Sequence, residues 1–113
     1  MSHKSTPRVF VTQEVRNPRQ NIDYSPARKF GDVVFLTMMD FSSDEGSISN
    51  KALIEEIRTR LRDFNPQTDF VVTTGSPVVA AVVFMILRER TSMVKFLRWS
   101  NRDYCYQEVT IAL

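Results

Sequence analysis

The stretch Val71–Arg90, VVTTGSPVVAAVVFMILRER, decides the fold. Phe70–Thr73 is a short run of aromatic and β-branched residues, the composition of a buried strand. Thr74-Gly75 then reads as a tight turn, Ser76 as a helix N-cap and Pro77 as the first helical position. From Val78 to Leu87 all ten residues are apolar. A bilayer span needs about 20 such residues, so this is a helix covered on most sides rather than a membrane anchor.

Working outward, Met93–Trp99 (MVKFLRW) predicts a strand, Ser100–Asp103 a hairpin turn and Tyr104–Ile111 a second strand. So short a link makes the two antiparallel neighbours. Upstream, Leu53, Ile57 and Leu61 recur at helical spacing, joined by Ile54 and Phe64. They predict a helix capped by Ser49 or Asn50 and stopped at Asn65-Pro66, with Glu56 and Arg60 as an i,i+4 ion pair. Asp32–Met39 (DVVFLTMM) predicts a central strand covered on both faces, and Arg8–Val15 a first strand. Between them, Ser25-Pro26 followed by Gly31 predicts a one-turn helix with Gly31 in a left-handed position. Residues 1–7 are polar and read as a flexible N-terminus, so residues 8–113 form one α/β domain.

Strands alternating with helices predict a small three-layer, flavodoxin-like or Rossmann-like sheet, mainly parallel, closed by a C-terminal antiparallel hairpin. The alternative is an α+β sheet whose first two strands pair antiparallel.

The chain has 113 residues, enough to bury a core without disulfides or metal, and a formal net charge of +2 from 15 basic and 13 acidic side chains. So balanced a charge does not by itself imply nucleic acid. His3 is the only histidine and Cys105 the only cysteine, which excludes a histidine-based triad, a Cys/His zinc site and an internal disulfide. No metal or cofactor is implied. MSHKSTPR lacks the apolar core of a signal peptide, so a cytoplasmic setting is expected.

In a parallel sheet, ligands bind beyond the carboxyl ends of the strands. The turn after the third strand is the sharpest candidate. Gly75 lets the backbone approach a ligand closely, Thr74 and Ser76 offer hydroxyls, and the free N–H of Val78 sits at the positive end of the helix dipole. Arg16, Arg19 or Arg28 can close over a phosphate from the first loop. The same features also serve as an ordinary helix cap, and neither a dinucleotide fingerprint nor a P-loop lysine is present. The second candidate is a nucleic-acid surface on the C-terminal hairpin, where Lys95, Arg98, Trp99, Arg102, Tyr104 and Tyr106 mix cations with aromatics. Edge strands carry Lys and Arg for protection against aggregation as well. The third, catalytic, is the carboxylate loop of Asp40, Asp44 and Glu45. The apolar helix also predicts a homodimer, with Val79 and Val83 on one stripe and Val82 and Ile86 on another, one facing the sheet and one the partner.

The set Tyr24-Ser25-Pro26-Ala27, Phe30-Gly31, Phe35-Leu36-Thr37, Thr74-Gly75-Ser76-Pro77, Leu97-Arg98-Trp99 and Tyr106 followed by Val109 resembles small phage-encoded α/β proteins of unknown function. The resemblance implies a viral accessory protein in a host cytoplasm. It transfers no catalytic residues. The leading expectation is therefore a non-enzymatic binding protein that takes a phosphate-bearing ligand such as a nucleotide. A nucleic-acid-binding protein and a small phosphoryl-transfer or hydrolytic enzyme are the rivals.

Overall fold

The computed structural model describes residues 6–15 and 23–113. Five strands form one sheet in the order β2-β1-β3-β4-β5: β1 Arg8–Val11, β2 Asp32–Phe35, β3 Phe70–Val72, β4 Met93–Ser100 and β5 Cys105–Ala112. β1 pairs parallel with both β2 and β3, β3 pairs parallel with β4, and only β4–β5 is antiparallel. The mainly parallel sheet with a terminal hairpin is as expected, and the antiparallel β1–β2 alternative is not.

Three boundaries and one position differ from the sequence reading. β1 and β2 stop at Val11 and Phe35 because the following residues turn to loop hydrogen bonds, Thr12 N–H to Val72 C=O at 3.0 Å and Glu14 N–H to Thr37 C=O at 2.7 Å. β3 is the middle strand; β1, whose Val9, Phe10 and Val11 are fully buried, lies between β2 and β3, while the apolar run of β2 lies at an edge. Helix α1, Ile48–Arg60, begins earlier than expected, because Ser47 rather than Ser49 or Asn50 accepts the capping N–H, from Asn50.

Strand alternation sorts the core into two layers. Phe10 and Val71 face α1 and α2 (Pro77–Arg88), packing with Leu53, Ile57, Leu61, Val79 and Val83. Val9, Val11, Val72 and Leu97 face the other way, onto Ala27 and Tyr106. Among the described residues that second face is covered by one short 3-10 helix, Ser25–Lys29. Tyr24 rather than Ser25 is its N-cap residue, and just ahead of it the Asp23 carboxylate accepts the Ser25 N–H at 2.9 Å. Gly31 has a φ of +157°, a positive value that L side chains rarely adopt, and an added Cβ would also collide with the Pro7 carbonyl oxygen.

The ion pair Glu56–Arg60 forms at 3.5 Å, and Arg58 grips Glu89 with two hydrogen bonds of 2.7 and 2.9 Å, joining α1 to the end of α2. Both pairs are exposed and contribute little stability. Among the described residues no helix is long and apolar enough to cross a membrane.

Candidate functional site

The turn between β3 and α2 is built as expected at its cap. Ser76 accepts the Val79 N–H at 3.4 Å and Pro77 opens the helix. Gly75 has a φ of +74°, the left-handed region that favours glycine. What fills the space beside it is Gln13. A Cβ on Gly75 would meet the Gln13 side-chain oxygen and Val15. That oxygen accepts the Ser76 N–H at 2.7 Å, while Gln13 Nε2 donates to the Met39 carbonyl at 2.9 Å. One amide thus bridges the ends of β1, β2 and β3, three of the four parallel strands.

A second lock lies beside it. The Thr12 hydroxyl donates to the Thr74 carbonyl and accepts the Thr74 N–H, both at 3.0 Å. The Thr74 hydroxyl in turn donates to the Gln13 carbonyl. Thr12 and Gln13 are buried, so the network works in a poorly solvated setting where each bond matters more. Gln13 was not singled out in the sequence. Its signal was weak, a polar residue just past an apolar strand.

Past β3 the sheet opens into a cavity of about 800 Å³. Its apolar wall is Val72, Leu97, Tyr106, Val109 and Pro26, and its polar groups are Thr73, Thr74, Asp23 and Arg98. Trp99 stands at the rim, 39% exposed, with its ring 5.1 Å from Tyr106 in an edge-to-face contact and its N–H donated to Asn101 at 3.0 Å. The cavity exists because β3 is short. The β3–β4 ladder ends at Val71↔Phe96, whereas β4–β5 continues to Ser100↔Cys105.

The structure thereby merges parts of two sites that the sequence kept apart, Thr74 of the turn with Arg98 and Trp99 of the hairpin. The other hairpin residues do not join them. Lys95 donates to the Gln67 carbonyl at 2.7 Å, toward the opposite end of the sheet, and Arg102 and Tyr104 sit exposed in the turn. The sequence reading placed the turn at residues 100–103. The turn falls at 101–104, with Tyr104 at a φ of 50°, and this pairs Trp99 with Tyr106. Arg28 is exposed on the 3-10 helix and does not line the cavity. Arg16 and Arg19 lie outside the described residues. The carboxylates Asp40, Asp44 and Glu45 are exposed, and among the described residues no group of three or more His, Cys, Asp or Glu side chains is placed to hold a metal.

Of the two stripes, Val79 and Val83 face the sheet as one was expected to, and Val82 and Ile86 do not form an outward one. Val79, Val83 and Ile86 are buried in the chain's own core and Val82 packs against it. At 100° per residue these positions and Leu87 form one broad inner stripe, and the outward stripe is Val78, Ala81 and Met85.

Two tyrosines set the electrostatics below Trp99. Burial pushes the Tyr106 hydroxyl above its ordinary pKa, helped by the negative influence of Tyr24 and Asp23. The Tyr24 hydroxyl is buried and has no hydrogen-bond partner among the described residues. Because the folded protein holds the Tyr106 proton more tightly than the unfolded chain, this tyrosine's contribution is complete below its ordinary pKa of about 10 and falls as pH rises above it. Tyr106→Phe should therefore flatten part of the stability loss above about pH 10, read by urea melts followed by circular dichroism. An unchanged alkaline slope would remove Tyr106 from the titration.

Fold and site together define a small α/β protein with an apolar-walled, polar-tipped cavity at the carboxyl end of a mainly parallel sheet. It is a phage-encoded accessory protein: the chain belongs to the Phage Pam3 gp32-like protein family, whose model matches residues 7–113. No curated protein and no solved structure matches the chain.

Proposed function

We propose that this phage accessory protein binds a small planar ligand carrying a phosphate, a nucleotide, in the cavity at the carboxyl ends of β3 and β4. The observation that carries the reading is the meeting of Trp99, Thr73, Thr74 and Arg98 around one cavity of about 800 Å³. That is the size of small-ligand sites, about 300 to 1,000 Å³. The half-exposed indole offers a stacking face and Arg98 the positive charge for a phosphate. The strand order β2-β1-β3-β4-β5 supports a doubly wound, flavodoxin-like sheet with its ligand beyond the strand ends. β5, antiparallel here, is the departure from that pattern. The phosphate is assigned to the Thr73, Thr74 and Arg98 side of the turn, because Gln13 already occupies the space at Gly75.

The reading is one of binding rather than turnover. Asp23, the carboxylate of the cavity wall, is held below its ordinary pKa first by the hydrogen bonds it accepts from Ser25. An acid kept ionised in a cap is poorly suited to proton transfer near neutral pH.

Trp99 is the only tryptophan, so intrinsic fluorescence reports the cavity alone. Nucleoside monophosphates should change its emission and raise the melting temperature, and Trp99→Ala should weaken binding by about tenfold or more, as loss of one stacking partner does. If no nucleotide changes either signal in the wild type, the reading is wrong. If single-stranded DNA binds and mononucleotides do not, with a steep salt dependence, the hairpin is a nucleic-acid surface instead.

A further inference from the structure

From the unpaired side of β4 we infer that the cavity selects its ligand by the base, through main-chain hydrogen bonds to an edge that carries an N–H beside a C=O, as guanine and uracil do. This rests on the cavity reading above. Among the described residues the β3 ladder beside β4 ends at Phe96, yet β5 holds β4 in extended form as far as Ser100. A residue in a strand presents its N–H and C=O on one edge, side by side, and successive residues present theirs to opposite edges. The stretch beyond the ladder lines the cavity, with Leu97, Arg98 and Trp99 on one wall and Val72, Thr73 and Thr74 on the other. A lactam edge supplies the complementary donor and acceptor, replacing the strand that β3 is too short to provide.

The unpaired length favours a base over a peptide. Only Arg98 to Ser100 lie fully beyond the β3 ladder, and β3 runs on into the Thr12–Thr74 lock, which closes the floor. An added strand gains its affinity from a run of main-chain bonds that so short a notch cannot offer. One planar group against the Trp99 indole fits it.

The test is a titration of Trp99 emission in the full-length protein with five probes: GMP, UMP, 1-methyl-GMP, 3-methyl-UMP and ribose 5-phosphate. GMP or UMP should bind, methylation of the edge nitrogen should weaken that nucleotide by about tenfold or more, and ribose 5-phosphate should bind at least that much more weakly, since one lost hydrogen bond with a stranded partner is of that order. Methylated and parent nucleotides binding within about twofold of each other overturns the edge inference while leaving the cavity a ligand site. Ribose 5-phosphate binding as tightly as either nucleotide overturns it too, and shows a phosphate site. No response to any probe overturns the inference and the cavity reading together. An extended tetrapeptide that binds where the nucleotides do not also overturns it and makes the notch a strand-docking site.

Discussion

Gly75→Val should destabilise the protein by about 3 to 5 kcal/mol, a loss visible as a large drop in the urea midpoint at unchanged slope. Two costs combine. At a φ of +74° any L side chain is strained by about 1 to 2 kcal/mol, and a β-branched one more. The added carbons would also displace the Gln13 side chain, breaking its bonds to the Ser76 N–H and the Met39 carbonyl and leaving Ser76 N–H without its acceptor. The sequence reading of Gly75 as room for a ligand would put the larger cost on binding; with the Gln13 side chain in that space, the larger expected cost is to stability. Gln13→Ala separates the two costs. It should destabilise by about 1 to 3 kcal/mol through the lost bonds alone. A Gly75→Val protein as stable as wild type would show that Gln13 does not hold the turn.

Asp69→Ala is the second large effect. Asp69 is 2% exposed and stands at the start of β3, at the end of the sheet away from the cavity. Its carboxylate accepts the Arg8 N–H at 2.9 Å and the Asn65 N–H at 2.8 Å, and lies 3.6 Å from the Arg8 guanidinium. Removing it strands two main-chain donors and a partly buried cation, at a cost of about 3 kcal/mol or more. Asp69→Asn keeps an accepting oxygen and should lose less. Because the cavity is far along the strands, a folded Asp69→Asn protein should bind ligand as wild type does. Equal stability of Asp69→Ala and wild type in urea would remove this carboxylate from the structural account.

Elements whose signal is local were legible in the sequence. Ser76-Pro77 caps α2 because a hydroxyl before a proline fits the start of any helix. The β4–β5 hairpin follows from a link too short for a crossover. Strand placement within the sheet was less accessible. The run Val33–Phe35 looks central by composition and lies at the edge, since pairing partners depend on crossovers that no local pattern records. The site was half legible. Thr74, Arg98 and Trp99 were named, yet as members of two sites, because their convergence depends on β3 ending at Val72 while β4 runs on to Ser100. The hairpin turn was expected one residue too early, which slides the register by two, so that Trp99 pairs with Tyr106. The outward side of α2 was not legible either. A helix apolar all round gives no phase, so nothing in Val78–Leu87 says which side turns to the sheet.

Whether ligand enters between β3 and β4, as proposed, or at the helix cap is decided by amide chemical-shift mapping of the isotope-labelled protein with GMP and UMP. Entry between the strands should make shifts cluster on Thr73, Thr74 and Leu97–Ser100, with the Trp99 side-chain N–H among them, and leave Val78 and Val79 unmoved. Shifts confined to Gly75–Val79 would place the anion at the helix terminus, and shifts absent from both would contradict nucleotide binding altogether.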